Sequence, residues 1–409
     1  MFLFFQTIKN NPIKIPFNKI LSSEYNFYNY FINNQITTYL ELGTPKQTIL
    51  INIKLYEFPI SILSKKNKGL FNEKKSTSFN IKEKCNDYYY KGNFEGCISN
   101  DIFNFKDYNN KNINVNNFSF LLINNSSIEA EMNNNSFGLT FYSKRFSEEQ
   151  FIYQLKKNQI INSYVFYFKY NDKDNTGNLI IGNYPHEIGN NYNKNLLKLV
   201  YINIKNNEIK WKISMDEIFN GINLIEEKSF IEFKIDIKGI IGTKIYNDYL
   251  NIFINNNSDK CKMEISKDNN FKYYYCDKKV DFSKFECLYF KQKEFNTTFE
   301  LNYKDLWFEF NGNYYFLIIF HNNNLNDKNW ILGEIFLKKY LFIFDQEEKV
   351  IGYYTIEKKG FPFLFILNII LVILVLVFGF GFWKYYHLKP KKIRANELIE
   401  NFDYSSYLK

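Results

Sequence analysis

Residues 361–383 read "FPFLFILNIILVILVLVFGFGFW", with no charged side chain and only Asn368 strongly polar. About 20 apolar residues in a helix cross the hydrocarbon core of a bilayer. A core helix of that length in a soluble domain keeps a polar face, and this one has none. The stretch therefore predicts a membrane-spanning helix over residues 358–384, with the lipid bilayer as its partner. Lys384, Lys389, Lys391, Lys392 and Arg394 follow it closely, whereas only Lys358 and Lys359 precede it. Positive charge collects on the cytosolic side. The expected topology is single-pass type I, with residues 385–409 a cytosolic tail and everything upstream lumenal or extracellular. At the other end, "MFLFFQTIKNN" carries an apolar run shorter than the about 7–15 residues of a secretory signal. Residues 1–34 read as a short signal-like and prosegment-like region.

The cysteines point to the same compartment. Cys85 and Cys97 flank "NDYYYKGNFEG", and Cys261 and Cys276 flank "KMEISKDNNFKYYY". Hairpins turning at Lys91-Gly92 and at "KDNN" would make each pair a cross-strand disulfide, which suits an oxidising compartment. Cys287 is left over, either unpaired or an alternative partner for Cys276. Acceptor motifs for N-glycosylation occur at Asn117, Asn124, Asn125, Asn134, Asn256 and Asn296, all upstream of the span. There is no CxxC spacing, and His186, His321 and His387 lie far apart, so no metal site is expected. The formal net charge is +9. The lysines are scattered and no Arg-rich patch interleaves with aromatics, so nucleic acid is not an expected partner.

Between about residues 35 and 356, short runs rich in Ile, Phe, Tyr and Val are broken by Asn, Gly and Asp, as in "TGNLIIGNY" and "LWFEFNGNYYFLIIF". That pattern predicts many short strands and an all-β class. One helix stands out in "FSEEQFIYQLKKNQ". Ser147 is placed as its N-cap, Gln150 completes a capping box, Phe146 and Phe151 form a staple, and Phe151, Ile152 and Leu155 make the buried stripe.

Several landmarks then fall in order. "YLELGTPKQ" holds Gly43-Thr44-Pro45 and Gln47, and "YYYKGNFEGCISNDIF" reads as a hairpin with Gly96 and Asp101 at a set spacing. "FGLTF" holds Gly138 between apolar residues, and "IKWKISMDEIFNG" carries Trp211. "WILGEIFLKKYLFIFDQEEKVIGYY" closes the domain with Trp330 to Gly333, Phe344-Asp345 and Gly352. Together these resemble the pepsin-like aspartic proteases over nearly the whole region before the span. The resemblance implies a bilobal all-β fold, with an N-terminal lobe at 35–196 that bears the flap and a C-terminal lobe at 197–357. It also implies Tyr89 as the flap tyrosine that contacts substrate, no cofactor, and a peptide or protein ligand in the interlobe cleft. "NNPIKIPFNKIL" resembles the basic start of a protease propeptide.

Enzymes of that family need two aspartates, each in an Asp-Thr/Ser-Gly turn. Two carboxylates at hydrogen-bond distance cannot both ionise, so they share a proton and activate one water as acid and base. Counted from Gly43, the first aspartate position holds Lys54, followed by Leu55 and Tyr56. Glu57 is the nearest acid. The second turn should lie in "KSFIEFKIDIKGIIGTKIYNDYL", where Asp236 is the candidate relic and Glu232 the other acid. No Asp-Thr-Gly or Asp-Ser-Gly occurs in the chain. The expectation is a pseudoprotease that still binds extended peptides by strand addition, with Lys54 favouring acidic ligands. The alternatives are an active divergent endopeptidase using Asp236 with Glu57, and a structural surface glycoprotein whose cleft is filled by its own Tyr56 and Phe58.

Overall fold

Branched and aromatic side chains pack well on a pleated surface, and the runs of Ile, Phe and Tyr form strands throughout. The structure is a computed structural model. It describes residues 11–355 apart from 21–26, 33, 57–59, 65–70, 90–92, 127–134, 141–149, 172–174, 190, 204–209 and 324–328, and separately residues 371–385 and 387. The first part is one compact unit of strands with a few short helices. Its strands form a 14-stranded and an 11-stranded sheet.

The chain enters through β1 (Ile13–Ile20), α1 (Phe27–Ile32), β2 (Gln35–Leu42), β3 (Gln47–Lys54) and β4 (Ser61–Leu63). β1 pairs with the Thr176–Ile181 strand on one side and with β2 on the other. Residues 13–20, which the sequence groups with a prosegment-like region, are therefore a built-in part of the sheet. Both neighbouring strands belong to the first lobe. The run Leu197–Tyr201, Val350–Tyr354, Phe342–Asp345, Val165–Tyr170, Thr176–Ile181, β1 is continuous in one sheet. Phe166 stacks on Phe344 with ring centres 5.1 Å apart, and Trp211 packs edge-on against both. Each such buried aromatic contributes about 1.5–3 kcal/mol relative to exposure, so this seam joins the lobes.

The helix α2 (Phe151–Lys157) buries Phe151, Ile152 and Leu155 as its stripe. It begins later than its sequence cap suggests. Gln150 is the N-cap and makes no side-chain cap bond, while Phe146 and Ser147 lie outside the described residues. Tertiary contacts fix the helix. The Gln154 amide exchanges two hydrogen bonds with the Ser119 main chain, and Phe151 stacks on Phe137 at 4.5 Å. Both disulfides form, Cys85–Cys97 and Cys261–Cys276, and Cys287 joins neither. In the second pair the two cysteines sit directly opposite on adjacent strands.

In the separate unit, residues 371–385 are helical with exposed apolar side chains. Among the described residues no helix is long and apolar enough to cross a membrane. Residues 356–370, which carry the first half of the uncharged stretch, lie outside the described residues, as do residues 1–10 and 388–409.

Candidate functional site

The two lobes carry the same local strand arrangement. In the first, β3 runs parallel to the Ser136–Gly138 strand, with Asn52, Ile53 and Lys54 opposite Ser136, Phe137 and Gly138. β4 then returns antiparallel to that strand, Ser61 opposite Ser136, and runs parallel to the Asn112–Ser126 strand, Ser61 beside Leu121. In the second, the Asn223–Phe233 strand runs parallel to Asn329–Leu332, with Glu232 and Phe233 opposite Ile331 and Leu332. The Ile240–Gly242 strand returns antiparallel, Ile241 opposite Ile331, and runs parallel to Ile318–His321, Ile241 beside Ile319.

This correspondence fixes the second loop. Ser136 matches Ile331 and Ser61 matches Ile241. Lys54 precedes Ser61 by the same count as Lys234 precedes Ile241, so Lys234 is the counterpart of Lys54. The burial pattern agrees: Lys54, Leu55 and Tyr56 alternate half-buried, buried, half-buried, and so do Lys234, Ile235 and Asp236. The sequence points to Asp236 as the second aspartate's relic. The register corrects this by two residues and makes Asp236 the counterpart of Tyr56. With no Asp-Thr/Ser-Gly turn to anchor the count, only the repeated Lys-aliphatic-x after an apolar strand signals Lys234.

The two counterparts meet between the loops. Tyr56 Oη donates a hydrogen bond to Asp236 Oδ2 at 2.7 Å, and Lys234 Nζ lies 5.5 Å from the centre of the Tyr56 ring. Asp236 Oδ1 is enclosed without a hydrogen-bond partner. Lys234 also lies 3.7 Å from Glu232, which Lys210 approaches at 3.6 Å. Leu55 and Ile235 stand where the family's turns carry Thr or Ser, and both point into the core, 1% and 0% exposed. A hydroxyl network between the loops is thus replaced by apolar packing and one phenol–carboxylate bond. Glu57 and Phe58 lie outside the described residues.

The second loop is also covered by the chain's own N-terminal segment. Lys238 N donates to Phe31 O at 2.8 Å, Asn34 N to Asp236 O at 3.2 Å, and Asn34 Nδ2 to Ile235 O at 3.0 Å. Phe27, Tyr28, Tyr30 and Phe31 bury themselves with Ile237, Ile241 and Ile319. Phe27 stacks on Tyr315 at 4.3 Å and Tyr30 on Phe308 at 5.3 Å. Gly239 is required here, because a Cβ would meet Leu317 O at 2.1 Å and the Phe31 ring at 2.2 Å. Tyr28 Oη donates to Asp268 at 2.9 Å. Hydrogen bonds, from Ser266 first and then from Tyr28, hold the Asp268 carboxyl down at about 2 against its partial desolvation. Behind the loop, Lys19 of β1 pairs with Glu334 at 2.6 Å, with side chains 1% and 5% exposed. Burial lowers the Lys19 pKa, and the charge and hydrogen bond of Glu334 oppose that shift. Sequence reading did not find residues 27–34, because nothing local marks a segment whose partner lies some 200 residues on.

The expected flap is a hairpin: Asn86–Tyr89 pairs with the long Asn93–Lys106 strand, Tyr89 opposite Asn93. Asn117, Asn125, Asn256 and Asn296 are exposed. Asn124 is half-buried, with its amide 3.0 Å from Cys97 Sγ, and Asn134 lies outside the described residues. Among the described residues no three or more His, Cys, Asp or Glu gather as a metal-binding group.

The family model described as eukaryotic aspartyl protease matches residues 56–355. No curated protein matches the chain.

Proposed function

This chain belongs to the eukaryotic aspartyl protease family, and on that premise we propose that it keeps the fold without the hydrolysis. One observation carries the reading. The matched positions of the two loops hold Lys54 and Lys234, and Tyr56 bonds Asp236 between them. Water activation in this family needs two carboxylates that share a proton. Lysine side chains at both positions supply no carboxylate to share that proton. Asp236 is a single carboxylate already engaged by a phenol.

The remaining role is binding. We place an extended peptide or protein segment along the flap hairpin on the first lobe, where strand addition uses main-chain groups and needs no dyad. Residues 27–32 and 34 cover the second loop instead. The uncharged stretch 361–383 anchors the chain as a single-pass type I protein, with the domain lumenal or extracellular and the exposed acceptor asparagines glycosylated. The covered second loop also favours a second reading, a structural surface glycoprotein whose domain is a rigid scaffold.

The test is cleavage of a mixed peptide library by the full-length protein in maltoside detergent from pH 3 to 7, with and without pepstatin, read by mass spectrometry. The expected result is no cleavage at any pH, and retention of extended acidic peptides in preference to basic ones. Retention of no peptide would leave the scaffold reading. Pepstatin-sensitive cleavage that disappears in Asp236→Asn would contradict both readings and establish a divergent active site.

A further inference from the structure

On the second lobe, the Lys244–Asn255 helix and the loop after the Phe282–Lys284 turn flank a half-open cavity of about 220 Å³. Its walls include Tyr249, Phe253 and Phe285, and Glu286 lies among them. Phe253 and Phe285 meet edge-on at 5.1 Å. Glu286 Oε2 accepts hydrogen bonds from Asn220 Nδ2 at 2.6 Å and from Tyr249 Oη at 3.3 Å. Both donors are neutral, and among the described residues no ammonium or guanidinium pairs with this carboxylate. Lys284 also lines the cavity, 81% exposed and 3.9 Å from Asp281, which shares its charge.

The surrounding backbone is shaped to this carboxylate. Gly221, at φ +58°, lies against it, and a Cβ there would come within 2.9 Å of Glu286 Cδ. Asn223 Nδ2 donates to Tyr249 Oη at 2.8 Å and ties the hairpin tip to the helix. The helix presents Ile252, 58% exposed, in the cavity wall. Glu286 is exposed, and its carboxylate, with no ion-pair partner among the described residues and aromatic side chains and Ile252 beside it, is complementary to an ammonium carrying small apolar groups. Aromatic rings attract a cation, and a charge-assisted contact adds to that. The volume admits a head group and excludes a folded peptide.

We propose that this cavity binds a small organic ammonium, with Glu286 as its counter-charge. The probe is choline, compared with its neutral isostere 3,3-dimethylbutan-1-ol, titrated into the full-length protein in maltoside and followed by saturation-transfer NMR. Choline should bind saturably and at least tenfold more tightly than the alcohol. Glu286→Gln keeps an acceptor for Asn220 and Tyr249, and should weaken choline at least tenfold. Lys284→Ala, on an exposed side chain, should tighten it about two- to threefold, so the idea stays testable if Glu286→Gln fails to fold. No saturable choline binding, equal binding of the alcohol, or indifference to both substitutions would overturn the proposal. Tighter binding of N-acetyl-lysinamide than of choline would overturn the small-molecule source and assign the cavity to a lysine side chain.

Discussion

The two loops at Lys54 and Lys234 have the same strand register and opposite surroundings. After Gly138 the first lobe continues with Leu139, a plain core residue, while after Gly333 the second continues with Glu334, buried against Lys19. The second loop has a segment of its own chain hydrogen-bonded across it, three contacts to residues 31 and 34. A shared backbone plan therefore does not enforce shared chemistry. Once neither loop has to hold an aspartate, each is free to settle by packing, and the second has done so by binding residues 27–34.

The largest way to break this comparison is at Glu334. Removing one partner of a buried ion pair leaves an uncompensated charge, at about 3–5 kcal/mol. Lys19→Ala should lower stability by that order in urea unfolding, whereas Lys19→Met with Glu334→Leu, which copies the apolar character of the first lobe, should recover most of it. A single variant with no loss would show that the asymmetry is not structural.

Next comes the covering segment. Phe31 is fully buried, and Phe31→Ala should cost about 3–5 kcal/mol. The same change should speed hydrogen exchange at the Lys238 amide, which donates to Phe31 O. Amides of the first loop should keep their rates. Equal acceleration in both loops would mean that the segment holds the whole domain and not one loop. Asp268 stays ionised down to about pH 2, so the Tyr28 contact should persist across the assay range of pH 3–7.

Alkaline pH should weaken the folded domain as a whole. Burial pushes Tyr274, Tyr340 and Tyr354 up to about 12, from an ordinary value of about 10. A raised folded pKa gives stability that is whole below about pH 10 and lost as pH climbs from 10 toward 12, because the unfolded chain releases these protons first. The urea midpoint should fall over that window. A flat profile would mean these phenols are not desolvated.

Much of the fold was legible in the sequence because its landmarks are local. The Trp330 to Gly333 turn, the Gly43-Thr44-Pro45 entrance and the two hairpin cysteine pairs each carry their own turn chemistry. The site was legible only in its first half. Lys54 follows from a gap-free count along one strand, while Lys234 needs the pairing of Asn223–Phe233 with Asn329–Leu332, a contact across about 100 residues. The Tyr56–Asp236 bond and the Phe31 contact are longer-range still, and no period or motif encodes them. The uncharged stretch near the C-terminus is the reverse case, a strong local signal of which residues 361–370 lie outside the described residues.

The central claim is that a phenol–carboxylate bond, two residues past the positions where the family carries its aspartates, holds the two loops together. A double-mutant cycle of Tyr56→Phe and Asp236→Asn, read by urea unfolding of the full-length protein, tests it most directly. Hydrogen bonds to charged groups contribute about 1.5–3 kcal/mol, and partial exposure here lowers that, so the predicted coupling is about 1–2 kcal/mol. A coupling indistinguishable from zero would mean the loops do not meet through these side chains, and would contradict the account.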